Sequence, residues 1–356
     1  MTRFFRQSAA DHAGPRHRRW LPALLLALCL PVSAAPMSTA KQGFELIALG
    51  VAGGLTDGDL SAWLLRAPGD RHYLGLDAGT VLPGIAAGLK QHAFDDFPWP
   101  ATRGWTRQGL LFREGISGWF ISHPHLDHVA GLVIASTDDL AKPIYGLPVT
   151  LDALSRHYFN WSAWPNFADR GTPPALARYR FQPHLPGTTF AVAGSELQGQ
   201  IFELQHDRMR SSMLLLRRGP AAFAYFGDTG PDQPQASQCL ARIWAALAPL
   251  VRERRLTGMV IEVSYPDGVD DQHLYGHLTP RWLLSELHRL AGEVGGPRPL
   301  AGLTVVIGHI KPDLRLDHDT RRLIRDELRQ GNDLGVNFVL PRQGQRVWLP
   351  LPDQKL

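Results

Sequence analysis

The sequence predicts an α/β fold in which two β-sheets carry helices on their outer faces. Three observations lead there: short β-rich runs recur through most of the chain, amphipathic segments at helical spacing fall between them, and a dense group of imidazole and carboxylate side chains sits where one such run ends. Residues 44–51, 63–65, 73–76 and 118–121 are rich in β-formers and separated by Gly, Asp and Pro turns, so they read as a meander of strands. Further strands are expected at 189–193, 200–204, 213–216, 222–226, 259–263, 304–307 and 338–340. Leu240, Ile243, Trp244, Leu247 and Val251 recur on one helical face. Thr279 suits an N-cap and Pro280 a first helical position, and Trp282, Leu283, Leu287 and Leu290 follow at helical spacing. Residues 320–330 form a third helix, with Gly331 as its stop.

The first residues differ in kind from the rest. Arg3, Arg6, Arg16, Arg18 and Arg19 form a basic region, residues 21–32 a short apolar one, and Val32-Ser33-Ala34 a small-residue cleavage site. Residues 1–34 are therefore expected to be a cleaved signal peptide and residues 35–356 a single domain. Export would place the protein in the periplasm of a Gram-negative cell and otherwise outside the cell. The apolar core is short for a membrane span, so no permanent membrane anchor is expected. A lipoprotein reading of Cys29 is disfavoured by Leu28 where a small residue is needed. Loss of Cys29 with the signal leaves Cys239 without an intramolecular disulfide partner. Residues 1–34 carry five Arg and one Asp, so the formal charge of +4 falls to zero in the mature chain. That balance gives no case for tracking long nucleic acid and is compatible with a small anionic substrate.

The run His123-Pro124-His125-Leu126-Asp127-His128 places four potential ligands within six residues after the apolar stretch Gly118-Trp119-Phe120-Ile121. On an extended segment His123 and His125 share one side, and a turn at Leu126 redirects Asp127 and His128. Two ions are expected, and imidazole with carboxylate suits zinc best, while manganese, iron and cobalt also fit. Three later side chains follow strand-like runs. His206 can complete the tripod begun by His123 and His125, with His184 its nearest rival; Asp228 can bridge both ions; and His309 can join Asp127 and His128 on the second.

The segment 123–136, HPHLDHVAGLVIAS, resembles the signature of the class II cyclic-nucleotide phosphodiesterases of the metallo-β-lactamase fold superfamily. The family pattern usually continues with Ala or Pro where this chain has Thr137, a position past the ligands. Similar segments follow in the expected order: Lys142-Pro143-Ile144-Tyr145-Gly146-Leu147, Phe159-Asn160 with Trp164-Pro165-Asn166, Gly227-Asp228-Thr229-Gly230, Glu262-Val263-Ser264-Tyr265-Pro266, Gly276-His277-Leu278 and Gly308-His309-Ile310-Lys311-Pro312. The resemblance implies a four-layer αβ/βα sandwich of two mixed sheets with outer helices and metals at one edge. It also implies hydrolysis of a 3′,5′-cyclic nucleotide, cAMP or cGMP, to the 5′-nucleotide.

A cyclic phosphodiester needs a nucleophile, neutralised non-bridging oxygens and a proton for the leaving 3′ oxygen. Two ions supply the first two by activating a bridging water and clamping the phosphoryl group, with Asp127 and Asp228 orienting that water. His277 is the candidate proton donor, with Glu262 to hold and charge it, by analogy with a glutamate and histidine in the related tRNA-processing phosphodiesterases. Asp77, in Leu74-Gly75-Leu76-Asp77-Ala78-Gly79, is expected to orient a ligand imidazole. Trp161, Trp164 and Asn166 are candidates for a nucleobase pocket, although core or loop packing is the favoured reading for any one of them, and His273 carries the same reservation. A homodimer is an admissible assembly. The competing readings are another hydrolase of this fold (general phosphodiesterase, lactonase or β-lactamase) and a non-catalytic periplasmic nucleotide- or metal-binding protein.

Overall fold

The computed structural model describes residues 42–100 and 104–352; the expected signal peptide, with Cys29, lies outside them. Among the described residues, fourteen strands form two seven-stranded sheets. The first holds β1 (Gly43–Gly50), β2 (Ala62–Arg66), β3 (Tyr73–Ala78), β4 (Ile116–Phe120), β5 (Lys142–Gly146), β6 (Tyr179–Pro183) and β14 (Arg346–Pro350), in the order β14-β1-β2-β3-β4-β5-β6. The second holds β7 (Thr189–Ala191), β8 (Gln198–His206), β9 (Met209–Arg218), β10 (Ala221–Phe226), β11 (Leu256–Glu262), β12 (Thr304–Gly308) and β13 (Asn337–Val339), in the order β13-β12-β11-β10-β9-β8-β7. Both are mixed: β3 to β6 and β10 to β13 run parallel, while the other neighbours are antiparallel. The helices are α1 (Leu82–Lys90), α2 (Arg107–Leu110), α3 (Leu126–Ala135), α4 (Pro148–His157), α5 (Cys239–Arg252), α6 (Pro280–Val294) and α7 (Thr320–Gln330).

Alternation along the central strands builds the layers. Phe44, Leu46 and Ala48 of β1 meet Phe223 and Tyr225 of β10, Val260 of β11 and Val306 of β12 in a core between the sheets. The intervening Ile47 and Leu49 face α1 and α3 through Ile85, Val129 and Leu132. Ala222, Ala224, Met259, Ile261, Val305 and Ile307 face α5, α6 and α7 through Trp244, Leu287 and Ile324. With both faces covered, these strands read as nearly continuous apolar runs, and only the two-residue period separates their inner and outer faces. Four layers result: helices, sheet, sheet, helices.

Several elements depart from the sequence expectation. The strand expected at 189–193 ends at Ala191, and that expected at 338–340 is Asn337–Val339. Strands β5, β6 and β14 and helices α1, α2, α3 and α4 arise from stretches with no assigned element. Strand β14 owes its place to pairing with β1 across the chain, Gly43 opposite Pro350, a partner that local pattern does not reveal. The turn expected at Leu126 is the first turn of α3, with His125 as its extended N-cap residue. Thr279 does cap α6 in conformation, and Pro280 opens the helix, yet the buried Thr279 hydroxyl makes no cap hydrogen bond.

Around β5 a buried ion pair ties the first sheet to the segment before β4. The Lys142 ammonium lies 2.5 Å from Asp139 Oδ1 and donates to the Phe112 carbonyl, and the Tyr179 hydroxyl donates to Asp139 at 2.9 Å. Burial pushes the Asp139 carboxyl up and the Lys142 ammonium down, and each offsets part of the shift in the other. Removing one partner leaves an uncompensated buried charge. Asp139→Ala is therefore expected to destabilise the protein by about 3–5 kcal/mol in denaturant unfolding; an unchanged midpoint would show that Lys142 finds water instead.

Candidate metal centre

The centre forms where strands from both sheets end. After β4 the chain passes through Ser122 and His123 and enters α3, so Asp127 and His128 occupy the first turn of a helix, whose positive end favours a carboxylate. This helix lies so close to the end of β3 that a Cβ on Gly79 would fall 1.9 Å from the Asp127 carbonyl oxygen. His206 is the last residue of β8 and faces Met209 across a tight hairpin. Asp228 follows β10 by two residues, Glu262 ends β11, and His309 follows β12. Parallel register pairs Glu262 with Gly308, which sets Glu262 and His309 side by side.

Four sets of donors converge within 4.8 Å: His123, His125 and His206; Asp127, His128 and His309; His123, His128 and Asp228; and His206, Asp228, Glu262 and His277. His206 Nε2 is 3.3 Å from His125 Nδ1, and His309 Nε2 is 3.1 Å from Asp127 Oδ2. Asp228 stands between the first two sets. Its carboxylate lies 3.8 and 3.9 Å from His123 and His206 Nε2 on one side, and 3.2 and 3.0 Å from His128 and His309 Nε2 on the other. Every metal-ligand candidate named from the sequence lies in this cluster. His184 does not: it stacks on Phe190 at 3.8 Å.

The buried Nε2 atoms of His123 and His128 have no hydrogen-bond partner among the described residues. Their other nitrogens are fixed. Asp77, wholly buried, accepts from the Ser122 backbone N–H and hydroxyl, each at 2.7 Å, from Tyr225 at 2.7 Å and from His128 Nδ1 at 2.8 Å. The Ser122 hydroxyl is also 3.0 Å from His123 Nδ1. Imidazoles oriented through one nitrogen, with the second buried and facing carboxylates, are the arrangement a divalent cation needs. The charge pattern agrees. Burial opposes ionisation of Asp228, yet the His128 and His309 imidazoles hold it well below the usual carboxylate range. Burial likewise opposes a charged His128, which Asp228 and Asp77 nevertheless hold well above its ordinary value. Burial pushes the His123, His125 and His206 imidazoles down, so they are neutral donors.

A second network adjoins the cluster. His277 Nδ1 is 2.8 Å from Glu262 Oε1, which also accepts the Thr229 N–H at 2.9 Å. The Ser264 hydroxyl is 2.5 Å from Glu262 Oε2, 2.9 Å from His309 Nδ1 and 3.2 Å from His277 Nδ1, so one hydroxyl joins the dyad to a ligand imidazole. Burial, reinforced by Asp228, pushes the Glu262 carboxyl up to about 7. Burial pushes His277 down to about 4 against the pull of Asp228. The sequence reading missed Ser122 and Ser264, although each stands within two residues of a named site residue.

An open cleft of ~340 Å³ lies over the cluster, with His125, Asp127, His206, Asp228 and His277 in its floor and Arg208, Tyr275 and Lys311 also lining it. The residues expected to form a nucleobase pocket do not line it. Asn166 is buried, its amide donating to the Arg170 and Thr172 carbonyls and its oxygen accepting from the Ala168 N–H, so it braces its own loop. Trp164 packs on the first-sheet core and donates to Ser136, and the exposed Trp161 donates to the Pro174 carbonyl. His273 sits in an exposed 3₁₀ turn.

Residues 45–344 match the sequence model of the class-II cAMP phosphodiesterases. The chain belongs to that family. This class-II phosphodiesterase is 48% identical over 307 residues to a probable 3′,5′-cyclic-nucleotide phosphodiesterase from Yersinia pestis, in an alignment covering 86% of this chain and 90% of that protein. Its fold is similar to that of unliganded yeast PDE1, with a TM-score of 0.74, 23% identity and coverage of 86% of this chain and 100% of the other. It is also similar to a metallo-β-lactamase fold protein from Bacillus subtilis, with a TM-score of 0.55, 14% identity and coverage of 86% and 100%. The class-II phosphodiesterase thus has the metallo-β-lactamase fold, as the resemblance of its sequence implied.

Because Asp77 holds both Ser122 and His128, Asp77→Ala is expected to weaken divalent-metal affinity about 10- to 100-fold. Competition titration against a chelator reads this directly, and unchanged affinity would remove Asp77 from the support of the centre.

Proposed function

We propose that this 3′,5′-cyclic-nucleotide phosphodiesterase works with two divalent ions and opens the phosphodiester ring of cAMP or cGMP to give the 5′-nucleotide. The observation that carries the reading is Asp228, whose carboxylate faces two separate sets of three donors. His123, His125 and His206 would hold one ion, Asp127, His128 and His309 the other, and Asp228 both. Nitrogen donors with carboxylates favour zinc. Bound there, the ions supply an activated water and neutralise the phosphoryl oxygens.

The protein's own groups do the rest. Lys311 lines the cleft and makes no ion pair among the described residues, which suits it to the anionic phosphate. As the water oxygen bonds to phosphorus, the bond from phosphorus to O3′ breaks and that oxygen needs a proton. Glu262, whose carboxyl is pushed up to about 7, lies 2.8 Å from His277 Nδ1, so its proton passes to Nδ1 as Nε2 gives its own to O3′ at the cleft. The basic and apolar pattern of residues 1–34 supports export of a domain spanning 35–356, which would act on cyclic nucleotide outside the cytoplasm, in the periplasm of a Gram-negative cell.

The test is zinc-loaded protein incubated with cAMP and with cGMP, with 5′ and 3′ products resolved chromatographically. Asp228→Ala is expected to lose bound metal and activity together. His277→Ala is expected to keep its metal while turnover falls about 10²- to 10⁴-fold. A 3′ product, absence of turnover by the wild type, or full-rate hydrolysis by His277→Ala would each overturn the corresponding part.

A further inference from the structure

We infer that Tyr275 is the platform on which the nucleobase stacks, with the base entering a second cleft beyond it; this rests on the cyclic-nucleotide reading above. A cleft of ~330 Å³ adjoins the one over the metal centre, and Asp207, Tyr275 and His277 line both. The two differ in chemistry. The first is floored by imidazoles and carboxylates, with Arg208 and Lys311 beside them. Pro231, Pro234, Leu274, Gln235 and Gln272 give the second a largely uncharged lining. Of its two carboxylates, Asp271 is already held by Arg281 and Trp282, and Asp207 is shared with the first cleft. A nucleotide divides in the same way, into an anionic phosphate and a flat, uncharged base.

Tyr275 stands at the junction of the two clefts. Its φ is +49°, a left-handed backbone that is unfavourable for a bulky residue, and the residue is 61% exposed, with the His273 ring 6.4 Å away edge-on. The neighbouring Gly276 fixes the direction of the loop. Its φ is +78°, a Cβ there would fall 2.2 Å from the Asp207 backbone nitrogen, and its carbonyl lies 2.9 Å from His206 Nδ1. The same turn therefore sends His277 into the centre and leaves the Tyr275 ring between the clefts.

The second cleft also offers a polar edge. Gln235 is committed, donating to the Gln205 carbonyl and accepting the Asp207 N–H. The exposed Gln272 side chain has no hydrogen bond among the described residues, and its amide offers both a donor and an acceptor. Such a group can meet the edge of either purine, so the ring supplies affinity for a base while the amide tolerates adenine and guanine.

The experiment compares zinc-loaded wild type, Tyr275→Phe and Tyr275→Gly on cAMP and on ribose 3′,5′-cyclic phosphate lacking the base. Tyr275→Gly, which relieves the backbone strain, is expected to raise KM for cAMP about 5- to 150-fold and to collapse the discrimination between the two esters. Tyr275→Phe keeps the ring and is expected to retain that discrimination. Equal KM changes for both esters, or none, would overturn the assignment. Calorimetric binding of adenosine 5′-monophosphate against ribose 5-phosphate measures stacking without turnover, so a failure of hydrolysis is distinguished from a failure of the platform. In that measurement Tyr275→Gly must weaken adenosine 5′-monophosphate selectively, and equal weakening of both ligands would likewise overturn it.

Discussion

The hydrogen bonds converging on Asp77 are the interaction on which the centre depends. A carboxylate with no exposed surface accepts from a backbone N–H and a hydroxyl at the end of the first sheet, from an imidazole on α3, and from Tyr225 of the second sheet. Charge-assisted bonds of this kind contribute about 1.5–3 kcal/mol each. Their larger consequence is geometric. They join both sheets and a helix at one point and aim the free nitrogens of His123 and His128 toward Asp228.

From that point the two halves of the site have different supports. His123, His125, Asp127 and His128 belong to one strand-to-helix passage, so their relative placement follows from local backbone. Asp228, Glu262 and His309 come from the ends of three neighbouring parallel strands, so theirs follows from sheet register. Ser264 links the halves of the second group by touching Glu262, His277 and His309 with a single hydroxyl. A centre built on strand ends is held by the cores behind it, while the residues around its mouth lie on loops free to vary with substrate.

Much of this was legible in the chain. Ligand chemistry is intrinsic to a side chain, and apolar strands ending in His or Asp announce where such side chains gather, which is why His123, His206, Asp228 and His309 stand out. Glu262 and His277 emerged through resemblance to a family, and the structure brings their side chains into contact. The nucleobase pocket was not legible. Trp161, Trp164 and Asn166 have suitable chemistry, but Asn166 is consumed by three backbone bonds and Trp164 by the core beneath it.

By itself the sequence determined the donor inventory, the alternation that stacks two sheets between helices, and the family. Those properties reside in single residues or in short-range periodicity. Tertiary structure decided that Asp228 faces both donor sets, that Asp77 reaches across to Tyr225, and that Tyr275 rather than a tryptophan lines the cleft. Each of these depends on strand register, sheet-to-sheet packing or one left-handed turn, and such long-range closures leave no mark in the local pattern of residues.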